Sequence, residues 1–114
     1  MTISVGMITF DTLDAPALAQ WWARQTGGAV EGEGGGEYVI VRPPAGPLLA
    51  FQQVPDPTPG KNRVHLDLSA ADRDAEVERL LADGAMLVAR HDEGDFVWVV
   101  LADPDGNHFC VAHG

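Results

Sequence analysis

Residues 101–114 read LADPDGNHFCVAHG, and the reading of this stretch decides the fold. Leu101 and Ala102 read as the end of a strand. Asp103-Pro104-Asp105-Gly106 reads as a tight turn, and Asn107 to Ala112 as a closing strand. Residues two apart in a strand share a face, so His108 and Cys110 look out together. Phe109 and Val111 point the other way, toward a core. The His108–Cys110 face is a reaction centre, a ligand pocket or ordinary sheet surface, and the rest of the chain has to decide which.

Upstream of this stretch, Met86 to Arg90 and Phe96 to Leu101 read as strands joined by an acidic turn, Asp92 to Asp95. Asp72 to Asp83 reads as a helix, with Val77, Leu80 and Leu81 on its buried side and Gly84 just past its end. Arg63 to Ser69 reads as a strand. Its Val64, Leu66 and Leu68 face the helix, and His65, Asp67 and Ser69 face away. The second half is therefore β-α-β-β-β.

The first half repeats that order. Ile3 to Phe10 reads as a strand, with Val5, Met7, Thr9 and Asp11 on one side of the chain and Gly6, Ile8 and Phe10 on the other. Ala15 to Gln25 reads as a helix, with Asp14 as N-cap and Pro16 in the first turn, where a missing N–H costs nothing. Leu18, Trp21 and Trp22 form its apolar stripe, and Thr26-Gly27-Gly28 ends it. Short strands follow at Ala29 to Glu31, Glu37 to Arg42 and Leu48 to Val54, with turns at Gly34 to Gly36 and Pro43 to Pro47. Pro55-Asp56-Pro57-Thr58-Pro59-Gly60 reads as the connector between the halves. The expected fold is α+β in a single domain, residues 1–114, built from modules at about 1–54 and 61–114. Two βαβββ modules would form a curved mixed sheet around a cleft, with the helices on the outer face.

A chain of 114 residues with 46% hydrophobic content suits one folded domain with a real core. The net charge of −10 opposes nucleic acid and anionic membranes as partners. One cysteine excludes an internal disulfide. No basic segment leads into an apolar run, and no apolar run reaches ~20 residues, so the expected setting is the reducing cytoplasm.

The element order, with ITFDTLDAPALAQWW, KNRVHLDLSAADRDAEVERLLADGA and LADPDGNHFCV, resembles the vicinal oxygen chelate superfamily. This is the glyoxalase, bleomycin-resistance and extradiol-dioxygenase group, and the likeness is narrower to its short glyoxalase-like members. The resemblance covers essentially the whole chain, and the DPDGN turn is its most specific piece. It implies a divalent metal held by one side chain from each of four strands, usually His, Glu or Gln. Carried over, those positions fall on Met7, on Gln52 or Gln53, on His65 and on Cys110. A thioether is a poor ligand for hard metals, and a thiol stands where a glutamate usually sits. His65 alone is a good match, so the expected metal site is incomplete. The expected cofactor is none, with a divalent metal as the alternative.

The candidate ligand contacts are His65, Asp67, Cys110, His108, Trp98, Met7 and Gln52. A His65–Asp67 pair can fix a tautomer for acid–base work. Cys110 reads as a small buried residue, or as a nucleophile if a nearby cation lowers its pKa. A soft zinc site of His65, Cys110 and His108 is a further reading. His91 and His113 read as surface residues, and Trp98 can face either way; facing the cleft, it offers a stacking surface. Three functions follow. The first is a metal-free module binding a small organic molecule. The second is a metal-dependent lyase, isomerase or dioxygenase using His65, and the third an interaction domain. A homodimer is expected, with the cleft formed within one chain or from halves of two.

Overall fold

The computed structural model describes residues 2–32 and 36–114, so Gly34 and Gly35 of the expected Gly34–Gly36 turn lie outside the described residues. The chain divides into two compact units, Met1–Thr58 and Pro59–Gly114. In the first, the elements are β1 (Met7–Thr12), α1 (Ala15–Thr26), β2 (Ala29–Glu31), β3 (Tyr38–Arg42) and β4 (Leu48–Gln53). In the second they are β5 (Leu66–Ala70), α2 (Arg73–Ala82), β6 (Met86–Glu93), β7 (Phe96–Ala102) and β8 (His108–His113). Each unit is thus βαβββ, as the sequence led us to expect.

The two sheets have the same topology. Their strand orders are β1-β4-β3-β2 and β5-β8-β7-β6. The first strand of each unit runs parallel to the last, and the other pairs are antiparallel. A parallel pair needs a long crossover, and the helix of each unit lies in it.

Local sequence explains why α1 forms where it does. The Asp14 side chain accepts the Ala17 backbone N–H at 3.1 Å, Pro16 occupies the first turn, and Gly27 closes the helix at φ 70°. The helix buries Leu18, Ala19, Trp21 and Trp22. Phe10 stacks on Phe51 at 5.0 Å and lies 5.6 Å from Trp22, while Trp21 meets Trp22 edge-on at 5.1 Å. Each such large side chain removed from water contributes about 1.5–3 kcal/mol. Gln53 also turns to the helix side, where its Oε1 accepts the Ala15 N–H at 3.1 Å and ties the end of β4 to the start of α1.

In the second unit, α2 packs on β8 and β5. It starts at an Asp72 cap that accepts the Ala75 N–H at 3.1 Å. Leu80 is buried, as are Phe109 and Val111 of β8 and Val99 and Leu101 of β7. With the helix on one face, the other face of this sheet carries His108, Cys110, Val100 and Trp98.

Several expectations are corrected. The first strand starts at Met7, not Ile3, and runs on to Thr12, leaving Ile3 and Val5 largely exposed. Val64 is 78% exposed because the fifth strand begins only at Leu66. Leu81 stands at the edge of the helix contact and is exposed. The sixth strand continues through Asp92 and Glu93, so the hairpin tip is only Gly94 and Asp95. His91 therefore belongs to the strand, one residue past its expected end at Arg90.

Candidate functional site

The strand register builds the free face of the second sheet row by row. Asp67 lies opposite Cys110, Cys110 opposite Val100, and Val100 opposite Ala89. In the next row Ser69 and Trp98 flank Ala112, and His91 lies opposite Trp98. The β6–β7 register shifts between Leu87 and Ala89, a bulge whose extra residue is Val88. Bulges re-aim side chains, and Val88 here lines the free face together with Ala89.

These rows line a half-open hollow of about 360 Å³. Val88, Ala89, Val100 and Cys110 supply its apolar lining. Trp98 and His91 form one wall, their rings stacked with centroids 4.8 Å apart and planes 19° apart. Phe96 extends this aromatic ridge, 5.3 Å from Trp98. Lys61, His65 and His108 supply the polar lining.

Lys61 and His65 stand on the segment before β5, outside the β5–β8 ladder that begins at Leu66. Asn62 anchors this segment with its side-chain amide. Its Nδ2 donates to the backbone oxygens of Val64 at 2.7 Å and His108 at 2.9 Å. Its Oδ1 accepts the His108 N–H at 2.8 Å. One amide thus stands in for a rung of the ladder and holds the Lys61–His65 segment against the start of β8.

The expected His65–Asp67 pair is present, with Nε2 3.1 Å from Oδ1, and both side chains are exposed. Cys110 is buried. Burial, then the negative charge and hydrogen bond of Asp67, push its thiol pKa up, and Lys61 opposes this only in part. The thiol is therefore held in its neutral form, which argues against a nucleophile. His108 Nδ1 is buried and, among the described residues, has no hydrogen-bond partner. An orphaned polar atom of this kind costs about 1–3 kcal/mol until something meets it.

The structure therefore gathers His65, Cys110, His108 and Trp98 around one hollow, with Asp67 beside it. Met7 and Gln52 belong to the first unit, where Met7 Sδ accepts the Tyr38 hydroxyl at 3.1 Å and Gln52 is exposed on β4. Sequence reasoning missed Lys61, His91 and the anchoring Asn62. His91 could have been found by extending the hairpin register from Trp98; Lys61 and Asn62 carried no pattern.

The donor set does not fit the hard divalent metal of the superfamily. His65, Asp67 and Cys110 place ligand atoms within 4.8 Å of one another. Yet the set holds one carboxylate, already engaged by His65, a neutral thiol, and a lysine on the same hollow.

The fold defines a class: paired βαβββ units of the glyoxalase, bleomycin-resistance and dioxygenase superfamily. Within it, the family model of the glyoxalase-like domain matches residues 7–112, and the chain belongs to that family. Among solved structures it is similar to a glyoxalase/bleomycin resistance protein/dioxygenase family enzyme from Burkholderia phytofirmans PsJN. That match has a TM-score of 0.82 and 17% identity, covering 97% of this chain and 98% of the other. It is similar to a lactoylglutathione lyase from Agrobacterium tumefaciens, with a TM-score of 0.73 and 16% identity, covering 100% and 96% of the two chains. It is also similar to TnmS3, an antibiotic binding protein from Streptomyces sp. CB03234, with a TM-score of 0.73 and 22% identity, covering 99% and 98%. At these identities the likeness is one of fold. No curated protein matches the sequence. Among the described residues, no helix is long and apolar enough to cross a membrane.

Proposed function

We propose that this chain binds a small, partly apolar organic molecule in the hollow of its second unit, without a complete metal site, as a cytoplasmic homodimer. The observation that carries this reading is the hollow itself. Its size lies in the range of small-molecule sites, and it joins an apolar floor and an aromatic wall to a few convergent polar groups. The neutral Cys110 thiol fits a floor better than a reaction centre. TnmS3, of the same fold, is an antibiotic binding protein, which agrees with this use of the architecture.

The test has two arms. Planar aromatic compounds should raise the melting temperature of the purified protein, and Trp98→Ala should abolish the rise while the protein stays folded. Incubation with Mn, Fe, Ni and Zn should leave no stoichiometric metal and no stabilisation. The convergence of His65, Asp67 and Cys110 is what favours the second reading, a metal-dependent lyase, isomerase or dioxygenase. Stoichiometric uptake with clear stabilisation, lost in His65→Ala, would establish the metal site and overturn the metal-free reading. Solution scattering at working concentration should give a dimer mass, and a monomer mass rejects the homodimer.

A further inference from the structure

The chain carries seventeen acidic side chains against seven basic ones, a net charge of −10. The lining of its hollow has a different make-up. No carboxylate lines it. Lys61, the single lysine of the sequence, does, and so do His65, His91 and His108, three of the four histidines. Asp67 is not among the lining residues; its carboxylate lies within 4.8 Å of Cys110 Sγ and is engaged by His65 at 3.1 Å. Lys61 has no ion-pair partner among the described residues, so its charge is available to a ligand. A cationic spot on a strongly acidic surface is an unusual place for a neutral or cationic ligand to prefer.

We propose that the hollow selects a planar aromatic carboxylate, its ring against the His91–Trp98 wall and its anionic group toward Lys61 and His108. This rests on the reading of the hollow as a ligand site and names the class of its ligand. Trp98 and His91 supply the stacking surface. The ammonium of Lys61 supplies a charge-assisted bond to a carboxylate. His108 lines the same hollow, and an imidazole N–H can donate to a carboxylate oxygen. A carboxylate in the hollow therefore finds the lysine ammonium and an imidazole among the residues that line it. A neutral alcohol brings no charge to pair with Lys61, and an aromatic amine cation faces Lys61 with like charge.

Three probes sharing one ring system separate the terms: 1-naphthoate, 1-naphthalenemethanol and 1-naphthylmethylammonium. Calorimetric titration of the full chain should show the anion binding about tenfold tighter than the alcohol, and the cation weakest. Raising the salt to about 0.5 M should weaken the anion and leave the alcohol unchanged. Lys61→Gln, at an exposed position, should keep the melting temperature and bring anion and alcohol within about threefold of each other. Equal binding of the three probes overturns the anion selectivity while leaving the ligand site standing. So does a preference for the anion that survives Lys61→Gln. Binding of none of the three removes the ligand site itself.

Discussion

Asp103 is 1% exposed, and its Oδ1 accepts the backbone N–H groups of Asp105 and Asn107, each at 2.9 Å. The same carboxylate takes the Asn107 side-chain amide at 2.9 Å on Oδ2. The DPDGN turn is thus wired from its first residue, and the wiring sets where β8 begins. Asp103→Ala should lower stability by about 2–3 kcal/mol, read from the urea midpoint, because it strands backbone donors that a buried carboxylate served. Asp103→Asn, which keeps Oδ1 as an acceptor, should lose about half as much. The residue types of this turn were legible in the sequence, since Pro and Gly punctuate it. The burial of its aspartate was not, because nothing in a linear pattern says which turn carboxylate folds inward.

Cys110 gives the second prediction at this scale. Its thiol pKa is raised by burial first and by Asp67 next, so the native state holds the proton more tightly than the unfolded chain. The stabilisation this carries is complete below the ordinary thiol pKa and is lost as pH rises through the raised one. Alkylation by iodoacetamide should accordingly be slower than for a free cysteine near pH 8 and climb only at higher pH. Asp67→Asn should shift that profile to lower pH. An unshifted profile in Asp67→Asn would mean that Asp67 exerts no field on the thiol.

Among the elements, β7 shows where sequence reading stops. FVWVVLA is apolar on both faces, so period-2 alternation cannot orient Trp98. The ladder does so, by setting Trp98 opposite Ala112 and His91. The sixth strand fails for the opposite reason. Its last residues, His91, Asp92 and Glu93, are polar enough to look like loop, yet they complete the hairpin to a Gly94–Asp95 turn. The capped helix α1 was legible because Asp14, Pro16 and Gly27 mark both of its ends. The link from β5 to β8 depends on Asn62, whose side chain makes three hydrogen bonds to backbone groups of Val64 and His108. Asn62→Ala should cost about 1–3 kcal/mol. It should also speed amide hydrogen exchange at His108 while leaving the β6–β7 hairpin protected. Uniform loss of protection across the second unit would contradict the local role given to this amide.

The whole molecule is strongly acidic, and most of its ion pairs are exposed, as with Arg42–Glu31 and Arg79–Glu76. Such pairs add little, so the net charge of −10 acts mainly as self-repulsion. Added sodium chloride should raise the melting temperature between about 0.01 and 0.15 M, where the screening length shortens from about 30 to 8 Å. A melting temperature that falls over this range would show that attraction dominates. The shared βαβββ order was readable at this scale although the halves share no residue-level repeat, because element order depends on periodicity and turns rather than on residue identity. The hollow was only half readable. His65, His108, Cys110 and Trp98 lie on or beside strands whose faces can be argued, whereas Lys61 lies on irregular chain that has no face. That irregular chain has a further consequence. Asn62 fastens it, and Lys61, Arg63 and Val64 lie outside the paired strand residues. Replacing these three should leave the pairing of the sheet intact, so the choice of ligand can drift between relatives, or be re-engineered, as a short cassette beside the scaffold.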